Sequence, residues 1–255
     1  MLLLLYAFLH LPILYIVYVS FQTEPVFPFP PDFTLEHYQG LLAQRDFHTG
    51  LLNSLTIGLG TGTLSATLAT LAAVGVLKYR SPGRKLTTVL LLAPLFVAHV
   101  LIGISSLLFY RSVLGLPGTL STAILANTTY GLAFAFLVVL AQIARYDWRM
   151  DDAAMVFGAS PLRAFREVTL PIIWPAVFGA FLVTFILAFN NLEISFYNLG
   201  AIPTLPTIAW GSLRHGIKPE LYALAAVVNA AVFGVLFVLY ALMKLGVVRL
   251  GPPEE

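Results

Sequence analysis

A chain of 255 residues that is 59% hydrophobic and only 10% charged is not an ordinary soluble domain, in which about 25% of residues carry charge. Its mean hydropathy of +0.88 fits a protein whose apolar surface faces lipid. The lack of cysteine excludes disulfides and thiolate chemistry, and a net charge of +2 by itself argues nothing about nucleic acid; the distribution of the charge matters more.

Six apolar runs reach the about 20 residues that a helix needs to cross a hydrocarbon core. They are Leu2–Phe21, Leu51–Leu77, Leu86–Tyr110, Ser121–Ile143, Ile172–Tyr197 and Leu221–Met243, and Glu193 is the single acid inside them. The runs are too long for barrel strands and show no period-2 alternation. The predicted class is therefore an all-α polytopic membrane protein: six transmembrane helices in a single domain over residues 1–255, with one polar hairpin between the fourth and fifth.

The first run lacks a basic leader and a small-residue cleavage site, and Pro12 and Tyr15 interrupt it, so it reads as a span and not a signal peptide. The chain opens on it with no basic residue before it, and the start is expected to be truncated. The following loop, Gln22 to Gly50, carries Pro25, Pro28, Pro30 and Pro31, which favour extended backbone. After Thr34 as N-cap, Leu35–Phe47 is expected to form an interfacial helix with Leu35, Tyr38, Leu41 and Leu42 on one face; a passive cover over helix ends is the plainer reading.

In the second run, Gly58-x-Gly60-x-Gly62 has no preceding strand, so it is not a nucleotide loop; small residues in a membrane helix allow close packing. The turn Lys78–Lys85 is basic, as topology and anionic lipid require. His99 with Ser105 and Ser106 in the third run, Asn127-Thr128-Thr129-Tyr130 in the fourth and Asn229 in the sixth are intramembrane polar groups. Each is a candidate to line a polar path, against the plainer role of satisfied packing residue.

Ile143 to Pro171 is polar, with four basic and four acidic residues. Asp147 is the expected N-cap of a first short helix whose first turns are acidic, and Gly158 its C-cap. Ser160-Pro161 restarts a second helix as N-cap and first helical residue, with Leu162, Phe165 and Val168 as an apolar stripe and Pro171 opening the next span. A structured polar hairpin held on one face of a membrane is expected to dock a partner; a polar loop with incidental caps is the alternative.

Near the end of the fifth run, a charge in lipid costs about 2.5–3.5 kcal/mol on insertion scales, so Glu193 is expected to face protein, water or the outer interface. On a continuous helix Asn190 and Glu193 share a face, Asn191 flanks it and Tyr197 lies one turn on, a patch suited to a substrate path. The alternative is a solvated acid and an Asn pair bonded to a neighbouring helix. Orientation follows from Lys and Arg: Lys78, Arg80, Arg84, Lys85, Arg145, Arg149, Arg163, Arg166, Lys244 and Arg249 fall on the side of the hairpin and both termini, against Arg45, Arg111, Arg214 and Lys218 on the other. The hairpin and termini are expected in the cytoplasm.

Within the hairpin, Asp152-Ala153-Ala154-x3-Gly158-x9-Val168-x-Leu170-Pro171 resembles the EAA loop of ABC importer permeases, with Asp for Glu and Val for Ile as the departures. Gly158-Ala159-Ser160-Pro161 and Phe165-Arg166 are similar as well. Leu51-Leu52-Asn53-Ser54-Leu55 after the external loop is similar to type I importer permeases, and Phe189 to Phe196, Thr204-Leu205-Pro206 and Gly216 to Leu224 together resemble the second permease of spermidine/putrescine-type systems. That subfamily often has an acid where Asn190 and Asn191 stand.

The resemblance implies a type I importer permease of the cell inner membrane. Its ATPase-coupling residues would be Asp152, Ala153, Ala154, Gly158, Ala159, Ser160, Pro161, Leu162, Phe165 and Arg166, with about Ser160–Glu167 as the coupling helix. It implies two copies of a cytoplasmic ATPase holding ATP and Mg, a sibling six-span permease, and an extracytoplasmic binding protein at Gln22–Gly50 and Asn198–Lys218. The substrate would be a small polar solute, polyamine-like, with His99, Asn127, Asn190, Asn191, Glu193 and Tyr197 as pathway candidates. The chain has no P-loop, metal-ligand spacing or acid–base pair, so it would bind no cofactor or metal and catalyse nothing itself. An ion-coupled secondary transporter is the alternative, but it needs midplane ionisable groups, and only His99 and Glu193 are available.

Overall fold

Apolar runs without a water-facing side leave the backbone no partner but itself, and helices result. A computed structural model describes residues 2–24, 32–79, 83–215 and 218–244. The Pro cluster, Arg80, Gly216, Ile217 and Arg249 lie outside them. The helices are α1 (Leu2–Ser20), α2 (Glu36–Ala43), α3 (Arg45–Lys78), α4 (Arg84–Leu92), α5 (His99–Leu108), α6 (Leu120–Ile143), α7 (Arg149–Val156), α8 (Pro161–Ala164), α9 (Leu170–Phe189), α10 (Glu193–Leu199), α11 (Leu205–His215) and α12 (Pro219–Lys244). Among the described residues the only β pairing is one bridge, Gln22 to Phe33.

Among the described residues, three continuous helices are long and apolar enough to cross a membrane: Arg45–Lys78, Leu120–Ile143 and Pro161–Phe189. A bent pair, Arg84–Phe96 with His99–Val113, makes a fourth if counted as one span. The first and last apolar runs are helical as α1 and α12.

Four expectations need correction. The third run is broken: Pro94 cannot donate a backbone hydrogen bond, the chain tightens into a 3-10 turn over Ala93–Phe96, and Val97 and Ala98 are extended before α5 restarts at an angle of 105°. The fifth run is broken as well, since α9 ends at Phe189 and α10 begins at Glu193. The helix expected over Leu35–Phe47 is the shorter α2, with Leu35 at its N-cap position and Thr34 Oγ1 accepting from Glu36 N at 3.1 Å; Phe47 already belongs to α3. The helix begun at Pro161 runs on through Pro171 to Phe189. A π-helical turn at Phe165–Thr169 loosens the ladder where the Pro171 ring would clash with the carbonyl four residues back. Helix α11, inside a segment read as external loop, went unforeseen.

The chain divides into two compact units. In the first, Met1–Asn53 with Pro203–Val247, α1, α2 and α11 pack on α12. Tyr38 Oη lies 2.6 Å from Ser20 Oγ, and Asn53 Nδ2 donates to Pro203 O at 2.8 Å. In the second, built on Ser54–Ile202, the core is made of small residues: Ala66, Ala69, Ala73, Ala135 and Ala180 bring helices close around Phe136, Val139, Ile143 and Ile173. The Gly58-x-Gly60-x-Gly62 run serves the same end. A Cβ at Gly58 or Gly62 would meet the rings and carbonyls of Phe185 or Phe181, and one at Gly60 would meet Ile124 at 2.7 Å.

Candidate functional site

The hairpin is shaped by its ends. Helix α7 closes in a Schellman motif: Ala159 N donates to Ala154 O and Gly158 N to Met155 O, both at 3.0 Å, with Gly158 at φ +91°. Ser160 Oγ then accepts from Arg163 N at 3.3 Å, and Pro161 opens α8, as the sequence implied. Asp147 is not the N-cap; Trp148 holds that position, and Asp147 Oδ1 accepts from Arg149 N at 3.0 Å.

At the tip, Val156 is 84% exposed, Phe157 91% and Leu162 66%. These three side chains give the polar hairpin an accessible apolar tip. Leu162 therefore does not belong to the buried stripe: Ala164 and Thr169 are buried, Phe165 and Val168 half-buried. Asp152, Ala153, Ser160, Pro161 and Arg166 are exposed, and Ala154 and Ala159 half-buried, so the ten residues singled out form one accessible hairpin, though Phe165 turns partly inward.

Sequence reasoning weighed Asp152 and passed over its neighbour. Asp151 is 0% exposed, accepting from Lys78 Nζ at 2.5 Å, Tyr146 Oη at 2.6 Å and Thr169 Oγ1 at 2.8 Å. Burial alone would raise the Asp151 pKa, but these three donors and the Lys78 charge outweigh it and hold the carboxyl below its ordinary value. Burial and the bond to that carboxylate push the Tyr146 phenol up to about 12. The Lys78 ammonium also sits 5.3 Å over the Trp148 ring. Two adjacent acids on a short helix must point to different sides, and that was the available signal.

A second set of polar groups gathers at the two helix breaks. His99 is the first residue of α5 and Glu193 the first of α10, and their side chains approach to 3.5 Å, both partly exposed. The Tyr130 ring stands edge-on to His99 at 4.1 Å between centroids. An acid in a helix's first turn is favourably placed against the macrodipole. The two helices meet closely because residue 103 is glycine: a Cβ there would lie 2.9 Å from the Tyr197 ring and 3.1 Å from Glu193 O. Asn198 Nδ2 donates to Gly103 O at 3.1 Å, and Thr122 Oγ1 donates to Asn198 O at 3.0 Å.

The remaining pathway candidates separate. Asn190 and Glu193 do not share a helical face, because the helix ends between them. Asn191 Oδ1 accepts from Ile194 N, in the first turn of α10, at 2.8 Å, and Leu192 holds the N-cap position. Asn190 is exposed, with Nδ2 donating back to Ile186 O at 3.3 Å. Asn127 is buried, 3% exposed, with Nδ2 donating to Ala123 O and Ser195 Oγ. Tyr197 is half-buried against Gly103.

No protein-family model matches the chain. Against individual proteins, it is 32% identical over 249 residues to the putrescine transport system permease protein PotI of Escherichia coli (strain K12), covering 95% of this chain and 89% of that one. The chain belongs to the ABC importer permeases. This permease is also 25% identical over 224 residues to the spermidine/putrescine transport system permease protein PotC of Escherichia coli (strain K12), covering 88% and 84% of the two chains. Its fold matches that of a bacterial ABC transporter that imports the acidic polysaccharide alginate, with a TM-score of 0.72 at 19% identity over 95% of this chain and 92% of that one. A second alginate transporter structure, in complex with its alginate-bound periplasmic protein, gives a TM-score of 0.61 at 19% identity over 98% and 96%. The chain is thus a multi-pass membrane permease subunit and not itself an enzyme.

Proposed function

We propose that this permease moves a small cationic organic solute of the polyamine class inward, by alternating access driven by a partner ATPase. The observation that carries this reading is full-length similarity to a putrescine permease, together with a carboxylate, Glu193, presented at the meeting point of two broken helices. Irregular backbone at membrane depth is tolerated where it lines a cavity, and discontinuous helices frame the substrate sites of many transporters.

The chain works as one domain of six spans, of which α1 is the first and α12 the last, with both termini and the hairpin in the cytoplasm of a cell with an inner membrane; ten cationic residues against four support that orientation. The exposed tip at Val156, Phe157 and Leu162, with Asp152, Ala153, Ala154, Gly158 to Pro161, Phe165 and Arg166 around it, is the contact for the ATPase, which holds ATP and Mg. Two ATPase copies and a sibling permease complete the membrane assembly. A solute-loaded extracytoplasmic protein delivers ligand, as the complex of the alginate transporter with its periplasmic protein supports.

The test is purification of the tagged chain from its own membranes in mild detergent, followed by reconstitution. Recovery with a P-loop ATPase and a second permease, and ATP-dependent putrescine uptake given the binding protein, is the expected result. Recovery of the chain alone, with uptake following an ion gradient instead of ATP, would overturn it in favour of a secondary transporter.

A further inference from the structure

The Asp151 carboxylate joins elements that the hairpin's docking role does not by itself require to be joined. Lys78 is the last residue of α3, Tyr146 lies just beyond the end of α6, and Thr169 immediately precedes α9. Asp151 itself sits in the first turn of α7. One buried anion therefore clamps the same-side ends of three long helices to the first helix of the hairpin, at 2.5, 2.6 and 2.8 Å. The core beneath it continues the clamp: Ile143, Val139 and Phe136 on α6 and Ile173 and Ala180 on α9 are buried in one cluster with Tyr146.

These helices lead to the second polar group. The 20 residues of α9 span about 30 Å, and α9 ends at the break that presents Glu193. Helix α6 carries Tyr130, whose ring touches His99. A displacement applied to the hairpin is thus delivered through rigid rods to both sides of the His99–Glu193 contact. Packed helices shift as bodies and do not bend continuously, so the join between hairpin and rods decides whether motion is transmitted or absorbed.

We infer that Asp151, with Lys78, Tyr146 and Thr169, is a positioning network that transmits ATPase-driven movement of the hairpin to the helices bearing the candidate substrate path. None of the four is required to touch the ATPase or the solute. The inference rests on the permease function proposed above and adds the residues through which coupling passes.

The experiment measures putrescine accumulated per ATP hydrolysed by the reconstituted complex, in proteoliposomes matched for assembled complex. Variants are D151N, K78M, K78R, Y146F and T169V. Expected is a fall of about 5- to 10-fold in that ratio for D151N and K78M, within the range of coupling between distant sites, with K78R close to wild type because it keeps the charge. Y146F and T169V each remove one donor while keeping most of the side-chain volume; a smaller fall in the same direction is expected of them, and they carry the test if D151N does not assemble. Hydrolysis and uptake falling in parallel, leaving the ratio unchanged in every variant, would reduce the network to a fold-stabilising element and overturn the inference. A wild-type complex that hydrolyses ATP without moving putrescine would instead overturn the function on which the inference rests.

Discussion

His99 Nδ1 stands 3.5 Å from Glu193 Oε2, and each residue opens a helix on the far side of a break in its own apolar run. The pairing brings the one acid of the apolar runs to a histidine of the third run, on two helices fastened by Asn198 and the small surface of Gly103. Both side chains keep part of their surface open, so a cationic ligand reaching Glu193 would compete with His99 for the carboxylate. For Glu193→Gln, which keeps shape and loses charge, an increase of about tenfold in the KM for putrescine is expected, the loss of a charged hydrogen bond of the ordinary size. Uptake measured in proteoliposomes checks it; an unaltered KM and rate would return Glu193 to a surface residue.

Gly158 tests the hairpin. A Cβ there meets no atom within 4 Å, so only its φ of +91° opposes a side chain. Gly158→Val, β-branched, should strain the Schellman turn by about 1–3 kcal/mol and abolish uptake while membrane content stays at the wild-type level. Gly158→Asn, which tolerates the left-handed region, should retain a substantial part of the activity. Equal loss in both variants would mean that space, not backbone conformation, is what the position supplies.

Much of this was legible in the residues. Hydropathy located the long apolar runs that are helical but not α11, the caps at Gly158 and Ser160 were readable because their chemistry is local, and the glycines of α3 fell where close packing needed them. Interruptions were harder to see. Nothing in the hydropathy of the third run distinguishes a kinked span from one turned through 105°, because the angle depends on what packs on either side of Pro94. The fifth run reads as continuous since Asn190-Asn191 costs little in a sequence profile; the bond from Ile194 N to Asn191 Oδ1 that helps α10 start forms only once the chain has turned. Asp151 was overlooked for a similar reason. Two of its three donors come from positions 78 and 169, and no local pattern announces contacts across such separations.

The buried network sets a pH window. The Asp151 pKa is lowered in the folded protein, so its contribution to stability is full above the unfolded carboxyl value of 3.8 and is lost as pH falls through the depressed folded value. The Tyr146 pKa runs the other way: raised from 10.0 to about 12, its contribution is full below 10.0 and is lost as pH rises toward 12. Thermal unfolding of the detergent-purified chain should show this network's contribution constant between those limits. Asp151→Asn should flatten the acid limb and Tyr146→Phe the alkaline one, each with a lower plateau. An acid limb unchanged by Asp151→Asn would show that other carboxylates control it.

Gly103 and Gly75 offer a paired comparison in which the same substitution has opposite consequences. Both are helical, in α5 and α3. At Gly75 a Cβ meets nothing within 4 Å, and Gly75→Ala recovers helix propensity worth about 0.5–1 kcal/mol. At Gly103 the added atom lies 3.1 Å from Glu193 O and 3.2 Å from Ile194 Cα. Those are backbone atoms with little room to yield, so Gly103→Ala should cost about 1–3 kcal/mol and push α5 from α10. The separation would draw His99 from Glu193 and loosen the bond from Asn198 to Gly103 O, so transport should fall together with the melting temperature. Gly75→Ala should raise the melting temperature or leave it unchanged, with uptake intact. A Gly103→Ala variant as stable and active as wild type would mean that α5 and α10 do not need this close contact, and that the His99–Glu193 approach is not fixed by it.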